Sequence, residues 1–208
     1  AIVAALSPTA AEAPSAPPAT LGLDPFYAKH VDARDIPVVA SAKVPDEALR
    51  IAEAIVEAMV RHRRDLRRVL VDSGVRVALL APGEGIMDLP EHRGWKKPAP
   101  DDPRLTQCER DEYEVRIAPL SDRDYWNRRV RGIGGVLTAV GAENLLARTD
   151  SPYFGENLLI HEFAHAILLA VEHGDPGLYA RVRAAYDRAR AAGKWKGDYA
   201  EVTVQEYW

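Results

Sequence analysis

Cysteine is almost missing from this chain. Cys108 stands alone among 208 residues, so an internal disulfide, a cysteine metal cluster and a redox pair are all excluded. Its neighbourhood, Thr106-Gln107-Cys108-Glu109-Arg110-Asp111, sets acids beside the thiol, which opposes thiolate formation and argues against a catalytic cysteine. Excess positive charge is missing too. A net charge of -4 and a pI near 5.9 give no electrostatic reason to expect nucleic acid or an anionic membrane as partner. The local cluster of Arg61, Arg63, Arg64, Arg67 and Arg68 with His62 reads as a solvated helix face. No apolar run approaches the roughly 18 residues that a membrane span requires. A dinucleotide-binding loop is also ruled out, because Gly132 and Gly134 are followed by Leu137 where the third glycine of the fingerprint must stand. Turn geometry is the expected use of Gly132, Gly134 and Gly135.

What the chain does contain is His161-Glu162-Phe163-Ala164-His165. In a helix, a four-residue step turns about 400° and rises about 6 Å, so both imidazoles sit on one face, one turn apart, and can share a metal ion. Glu162 follows the first histidine and is placed to take a proton from a metal-activated water without being a ligand. A buried histidine pair held by backbone carbonyls is the alternative. Against it stand Leu158, Leu159, Ile160, Phe163, Ala164, Ala166, Ile167, Leu168, Leu169, Ala170 and Val171, which make the helix apolar almost all round and predict that it lies in the domain interior. Burying two histidines and a glutamate there is costly unless a cation satisfies them.

A catalytic zinc ion takes three protein ligands and keeps a position open, so a third ligand has to come from elsewhere. An HExxHxxGxxH continuation is excluded by Leu168 and Val171. His173 lies about 12 Å further along the helix axis and about 80° round it, and is expected instead to cap the helix end before Gly174. Glu172 faces the right way but is about 10 Å too far along. Glu201 and Glu206 are the only glutamates beyond it, with Asp175, Asp187 and Asp198 as weaker candidates. Glu206 is preferred, although Thr203-Val204-Gln205-Glu206 also reads as a capping box in which the glutamate only closes a helix start.

Tyr153-Phe154-Gly155-Glu156-Asn157-Leu158-Leu159-Ile160 leading into the histidine motif, then Tyr199 and Glu206-Tyr207-Trp208, resembles the zinc metallopeptidases similar to anthrax lethal factor, the ATLF-like family. In that family a tyrosine precedes the glutamate ligand by seven residues, as Tyr199 precedes Glu206. The resemblance is specific over residues 152 to 208. Upstream it is weaker, on Tyr125-Trp126-Asn127-Arg128-Arg129 and Arg131-Gly132-Ile133-Gly134-Gly135, which are similar to secreted bacterial members. It implies a Zn2+ ion bound by His161, His165 and Glu206, with Glu162 as general base and Tyr199 donating its hydroxyl to the oxyanion. It also implies an exported, extracytoplasmic protein. Members continue past the Glu-aromatic-aromatic step with a further Ala-Glu, whose acid supports a ligating histidine, whereas this sequence stops at Trp208. The resemblance thus implies a final helix clipped just beyond a ligand, and weakened hold on the metal.

The remaining pattern predicts an α+β fold with a small mixed sheet packed on the helix that carries HExxH, and the resemblance implies that residues 25–208 are a zincin-like metallopeptidase domain truncated at its C-terminal end. Residues 1–24 are expected to be a flexible segment rich in alanine and proline. Its composition suits the tail of a secretory signal followed by a linker, and equally an ordinary disordered terminus. Ala48, Leu49, Ile51, Ala52, Ile55, Val56, Met59 and Val60 predict a helix starting near Asp46, with helical character resuming through Leu66 and Val69 to Gly74. Val75 to Leu80 reads as a buried strand, residues 83–112 as a long surface excursion, Tyr113 to Ile117 as a second strand by alternation and Gly134 to Val140 as a third. That third strand, near the motif, is expected to line the cleft and align a peptide by backbone pairing. Asp175-Pro176 predicts a further helix running to Gly193, a spacer that returns the chain so that Tyr199 and Glu206 face the histidines.

Three functions share these features: a zinc metalloendopeptidase acting on a peptide or protein substrate, a zinc hydrolase acting on a non-peptide amide or glycan-linked substrate, and a non-catalytic binding or scaffold domain that keeps the fold. A structural zinc site would be closed by four protein ligands.

Overall fold

The computed structural model describes residues 13–103 and 105–208. The first twelve residues of the expected flexible segment lie outside the described residues. From there on, Ser15 exchanges backbone hydrogen bonds with His30, at 3.1 and 2.7 Å.

β1 (Lys29–Ala33) and β2 (Ile36–Ala40) form an antiparallel hairpin. Its two turn residues, Arg34 and Asp35, have φ of 57° and 71°, the left-handed pair that the right-handed twist of a tight hairpin demands, and Asp32 accepts from the Asp35 amide at 2.9 Å. Neither turn residue is a glycine, so nothing in the composition announces this hairpin. The chain then forms α1 (Asp46–Val60) and α2 (Arg64–Asp72) and returns as β3 (Arg76–Leu80), parallel to β2. α1 buries Ala48, Leu49, Ala52, Val56 and Val60, the i, i+4 stripe of an amphipathic helix.

Of residues 83–112, expected to run over the surface, residues 106–112 do lie at the surface, whereas residues 84–95 instead cover the second face of the sheet. Ile86, Met87 and Leu89 are buried there against Val39, Ala78, Leu80 and Ala139, because a sheet flanked by helices on one side still has an apolar face to close on the other. After α3 (Gln107–Asp111), the stretch expected as a strand is α4 (Tyr113–Arg116). The alternation misled because it also fits a period of four: Tyr113 and Ile117 are buried on one helical face, while Val115 is 81% exposed.

α5 (Asp122–Arg129) leads to β4 (Gly132–Ile133) and β5 (Leu137–Gly141). The third strand therefore starts three residues later than predicted and ends one residue later, and the short β4 before it is one edge of the sheet. The sheet order is β1-β2-β3-β5-β4, with β3 and β5 parallel and β4 antiparallel to β5. The fold is thus α+β with a mixed five-stranded sheet. α6 (Ala142–Leu145) is followed by α7 (Leu158–Gly174), which carries the histidine motif and packs on β5, β4, α1 and α2. α8 (Pro176–Ala191) returns along α7, and α9 (Val204–Tyr207) ends the chain. No helix among the described residues is long and apolar enough to cross a membrane.

Candidate metal centre

α7 is fixed at its start by two asparagines. Asn157 caps it by accepting from the Ile160 amide at 3.1 Å, and the buried Asn144 of α6 accepts from the Leu158 amide at 2.9 Å while donating to the carbonyls of Tyr153 and Glu156. At the other end His173 Nδ1 lies 2.7 Å from the Leu169 carbonyl, so the last turn is closed by a side chain. The helix is not enclosed all round as its composition predicts. Phe163, Leu159, Ala166 and Val171 face the core, while Ile160, His161 and Leu169 are exposed along a cleft.

Along that cleft the two imidazoles stand edge to face, ring centroids 4.9 Å apart. Glu206 arrives from α9. Thr203 Oγ1 accepts from the Glu206 amide at 3.2 Å, so half of the capping box is made, but the Glu206 carboxylate turns to the histidines: one oxygen is 3.3 Å from His161 Nε2 and the other 3.8 Å from His165 Nε2. α9 is held in place by aromatic contacts. Tyr186 of α8 donates to the Glu201 carbonyl at 2.8 Å and packs its ring 5.5 Å from that of Tyr207, and Trp208 Nε1 donates to the Ala164 carbonyl of α7 at 3.0 Å.

His161, His165 and Glu206 each offer one ligand atom, and these lie within 4.8 Å of one another. Two nitrogens and an oxygen about 2.0–2.2 Å from a tetrahedral zinc would stand about 3.4 Å apart, so small side-chain movements bring this set onto an ion. Unmet demand is visible as well. The buried Glu206 Oε2 makes no hydrogen bond, and an imidazole–carboxylate donor set of this kind suits zinc. Burial, and secondarily the neighbouring His161, holds the His165 pKa below its ordinary value against the opposing pull of Glu206, which keeps the ring neutral and able to coordinate.

Glu162 lies beside this group without joining it, 9% exposed, with a carboxylate oxygen 3.9 Å from His165 Nε2. Burial, and then the charge of Glu206, pushes its pKa up to about 7, where a carboxylate can both accept and return a proton near neutrality. Tyr199 lines the same cleft with 65% of its surface exposed. Burial of its hydroxyl, followed by the Glu206 carboxylate, raises its pKa, so it stays a protonated donor.

Two residues that sequence reasoning assigned to turns belong to this centre. Gly132 and Gly134 do not adopt left-handed backbone; they are needed for close approach. A Cβ at Gly132 would come within 2.5 Å of Glu162 Oε1, and one at Gly134 within 2.4 Å of the Glu162 carbonyl and 2.6 Å of the His165 ring. The available signal was their i, i+2 spacing, which puts both on one face of an extended segment.

The cleft has two arms that share His161, Glu162, His165, Tyr199 and Glu206. One arm, about 980 Å³, runs toward Tyr153, Glu156 and Ile160. The other, about 380 Å³, runs toward Gly134, Gly135 and Leu169. The groove therefore continues past the donor cluster on both sides.

No protein-family model matches this chain, and no curated protein matches it. Among solved structures the chain is similar to the Pro-Pro endopeptidase PPEP-2 from Paenibacillus alvei, at 17% identity over 82% of this chain and 79% of that one, with a TM-score of 0.49.

Proposed function

We propose that this chain is a zincin-like zinc metalloendopeptidase that hydrolyses internal bonds of a peptide or protein substrate outside the cytoplasm. The observation that carries the reading is the convergence of His161, His165 and Glu206 on one point of an open cleft, with the buried Glu162 carboxylate beside it. Three protein donors, rather than the four that close a structural site, are found together there among the described residues, which favours an open catalytic position. A groove with two arms suits a chain cut in its interior, and the exported location follows from the resemblance to secreted ATLF-like members.

A zinc ion held by these donors would supply Lewis acidity, acidifying water and polarising the scissile carbonyl. Glu162 takes the proton from the attacking water and passes it to the departing amine, a task its raised pKa suits. Tyr199, protonated and facing the Glu206 carboxylate, donates its hydroxyl to the oxygen that gains charge at the substrate carbonyl. β4 pairs with β5 on one side only, so its other edge is available to align an extended substrate by backbone hydrogen bonds. Gly132 and Gly134 let that edge lie directly against Glu162 and His165.

The test is a zinc-loaded sample incubated with a diverse peptide library, with and without 1,10-phenanthroline, and read by mass spectrometry. Internal cuts that vanish with chelator support the reading. Absence of cleavage in the zinc-loaded protein, or cleavage that chelator leaves intact, overturns it.

A further inference from the structure

β4 is a poor strand by its own resources. It is two residues long, lies at the sheet edge and begins with a glycine, so it has little backbone pairing and a single packed side chain, Ile133, to hold it. Yet it forms the wall that covers Glu162, at a separation too small for a single methyl group. Something else must fix it.

Arg131, the residue immediately before β4, is that anchor. Its side chain is 16% exposed and its guanidinium grips Glu143 of α6 in a two-pronged pair, Nε to Oε1 at 2.8 Å and Nη2 to Oε2 at 2.8 Å. Nη1 donates to the Glu84 carbonyl in the loop after β3. The Arg131 carbonyl accepts from the Gly141 amide at 3.0 Å. Space for this fork exists only because residue 141 is glycine: a Cβ there would lie 2.3 Å from Glu143 Oε1 and 2.7 Å from Arg131 Nη2. The partners are themselves rigid, since Glu84 is 4% exposed with its carboxylate bound to the Ala81 amide at 2.9 Å, and Glu143 sits one residue before the Asn144 that fixes the start of α7. One side chain thus ties the cleft wall to the loop after β3 and to the element that sets α7.

We infer that the Arg131–Glu143 fork is a positioning device that holds the β4 edge against the active-site helix, so that substrate lying on that edge meets Glu162 in register. The consequence for turnover rests on the peptidase reading, whereas the anchoring of β4 does not. Arg131 also lines the cleft, and its charge is committed to Glu143, so it is not offered to substrate.

The experiment compares wild type with Arg131→Met, Arg131→Lys and Glu143→Gln, each checked for cooperative melting and zinc content. Amide exchange is measured on the zinc-free proteins, and steady-state kinetics on the zinc-loaded ones. The expected result for Arg131→Met is faster exchange confined to the Ile133, Ala139 and Gly141 amides, unchanged zinc stoichiometry and a kcat lower by about 10- to 100-fold with little change in KM, the penalty for a misplaced reacting geometry. Glu143→Gln, which keeps the shape and part of the hydrogen bonding, and Arg131→Lys, which keeps the charge, should fall between. Wild-type exchange at those amides, or wild-type kcat in Arg131→Met, overturns the inference. Faster exchange in variants of a wild type that cleaves nothing removes the peptidase reading and leaves the anchor standing.

Discussion

The Glu206 carboxylate lies 3.3 Å from His161 Nε2, although most of α7 and all of α8 separate the two residues in the chain. The contact is built by α8, which doubles back along α7, and by Tyr186 and Trp208, which pin the final segment to it. It brings two kinds of group together: three side chains that could hold a metal ion, and the separate acid Glu162, for which the proposed function is proton transfer. Substitutions should pull these roles apart.

Glu162→Gln is expected to retain zinc at wild-type stoichiometry and lose about 10²- to 10⁴-fold in kcat, the usual worth of a positioned acid–base group. His165→Ala should lose both metal and activity. Inductively coupled plasma measurements alongside peptide cleavage check the pair, and a Glu162→Gln protein that fails to bind zinc would move Glu162 into the ligand set.

Tyr199→Phe removes one hydroxyl from an exposed ring and should leave zinc content and melting temperature unchanged while lowering kcat by about 10²-fold, as for one oxyanion donor. Unchanged turnover takes Tyr199 out of the mechanism.

Alanine at the two cleft glycines should give different failures. At Gly134 the new methyl meets the Glu162 backbone carbonyl, which cannot move without displacing α7, so a loss of about 1–3 kcal/mol in unfolding free energy is expected. At Gly132 the nearest obstacle is the end of the Glu162 side chain, which can swing away. Gly132→Ala should therefore stay folded, bind zinc and turn over slowly. Urea melts and kinetics on both variants distinguish the cases, and equal destabilisation with equal activity would contradict this account.

These glycines also mark where sequence reading stops. The pairing of His161 with His165 follows from helix geometry alone, because four residues make one turn. Glu206 is different: its local signal is a helix cap, and Thr203 does make that cap, so elimination of other acids only made it a preferred candidate and the resemblance to a known family strengthened that choice. Tyr113 to Ile117 shows the limit for secondary structure, since five residues with apolar ends fit both a strand and one turn of helix, and only packing decides. Asn144, Gly132, Gly134 and Arg131 carry no chemical motif. Their importance lies in which chain segment passes within a few ångströms, which depends on the sheet order; the i, i+2 spacing of the two glycines marks a shared face but not what lies against it.

His92 makes the fold sensitive to acid away from the cleft. It is 7% exposed, stacked 3.9 Å from the Trp95 ring, and burial holds its pKa below the ordinary value near 6.5. The unfolded chain therefore takes up a proton at a pH where the folded one does not, so folding stability rises with pH across that window. The contribution of His92 is complete above pH 6.5 and is lost as pH falls through the depressed folded value. His92→Phe keeps the stack and removes the titration. The stability difference between wild type and His92→Phe, from urea unfolding at a series of pH values, should be flat above pH 6.5 and shift against wild type below it. A difference that is flat throughout would mean that His92 is as easily protonated folded as unfolded.

Lys97 supplies a last test, of the scaffold beneath α5. Its ammonium donates to the carbonyls of Ile117, Ala118 and Leu120 at 3.1, 2.6 and 2.6 Å, and its amide donates to Asp122 Oδ1 at 3.0 Å. Three converging carbonyls leave a turn with its negative ends facing one point, and the lysine is the cation that satisfies them after α4. Lys97→Met keeps the length of the stem but leaves those oxygens to whatever water can reach them. Hydrogen bonds from a charged donor are worth about 1.5–3 kcal/mol each, and water recovers part of that at a half-buried position, so a net loss of about 2 kcal/mol in unfolding free energy is expected. Zinc content should not change, because α5 touches the cleft only through its last residue, Arg129. A Lys97→Met protein as stable as wild type would show that the carbonyls are hydrated without cost and that the turn holds its shape unaided.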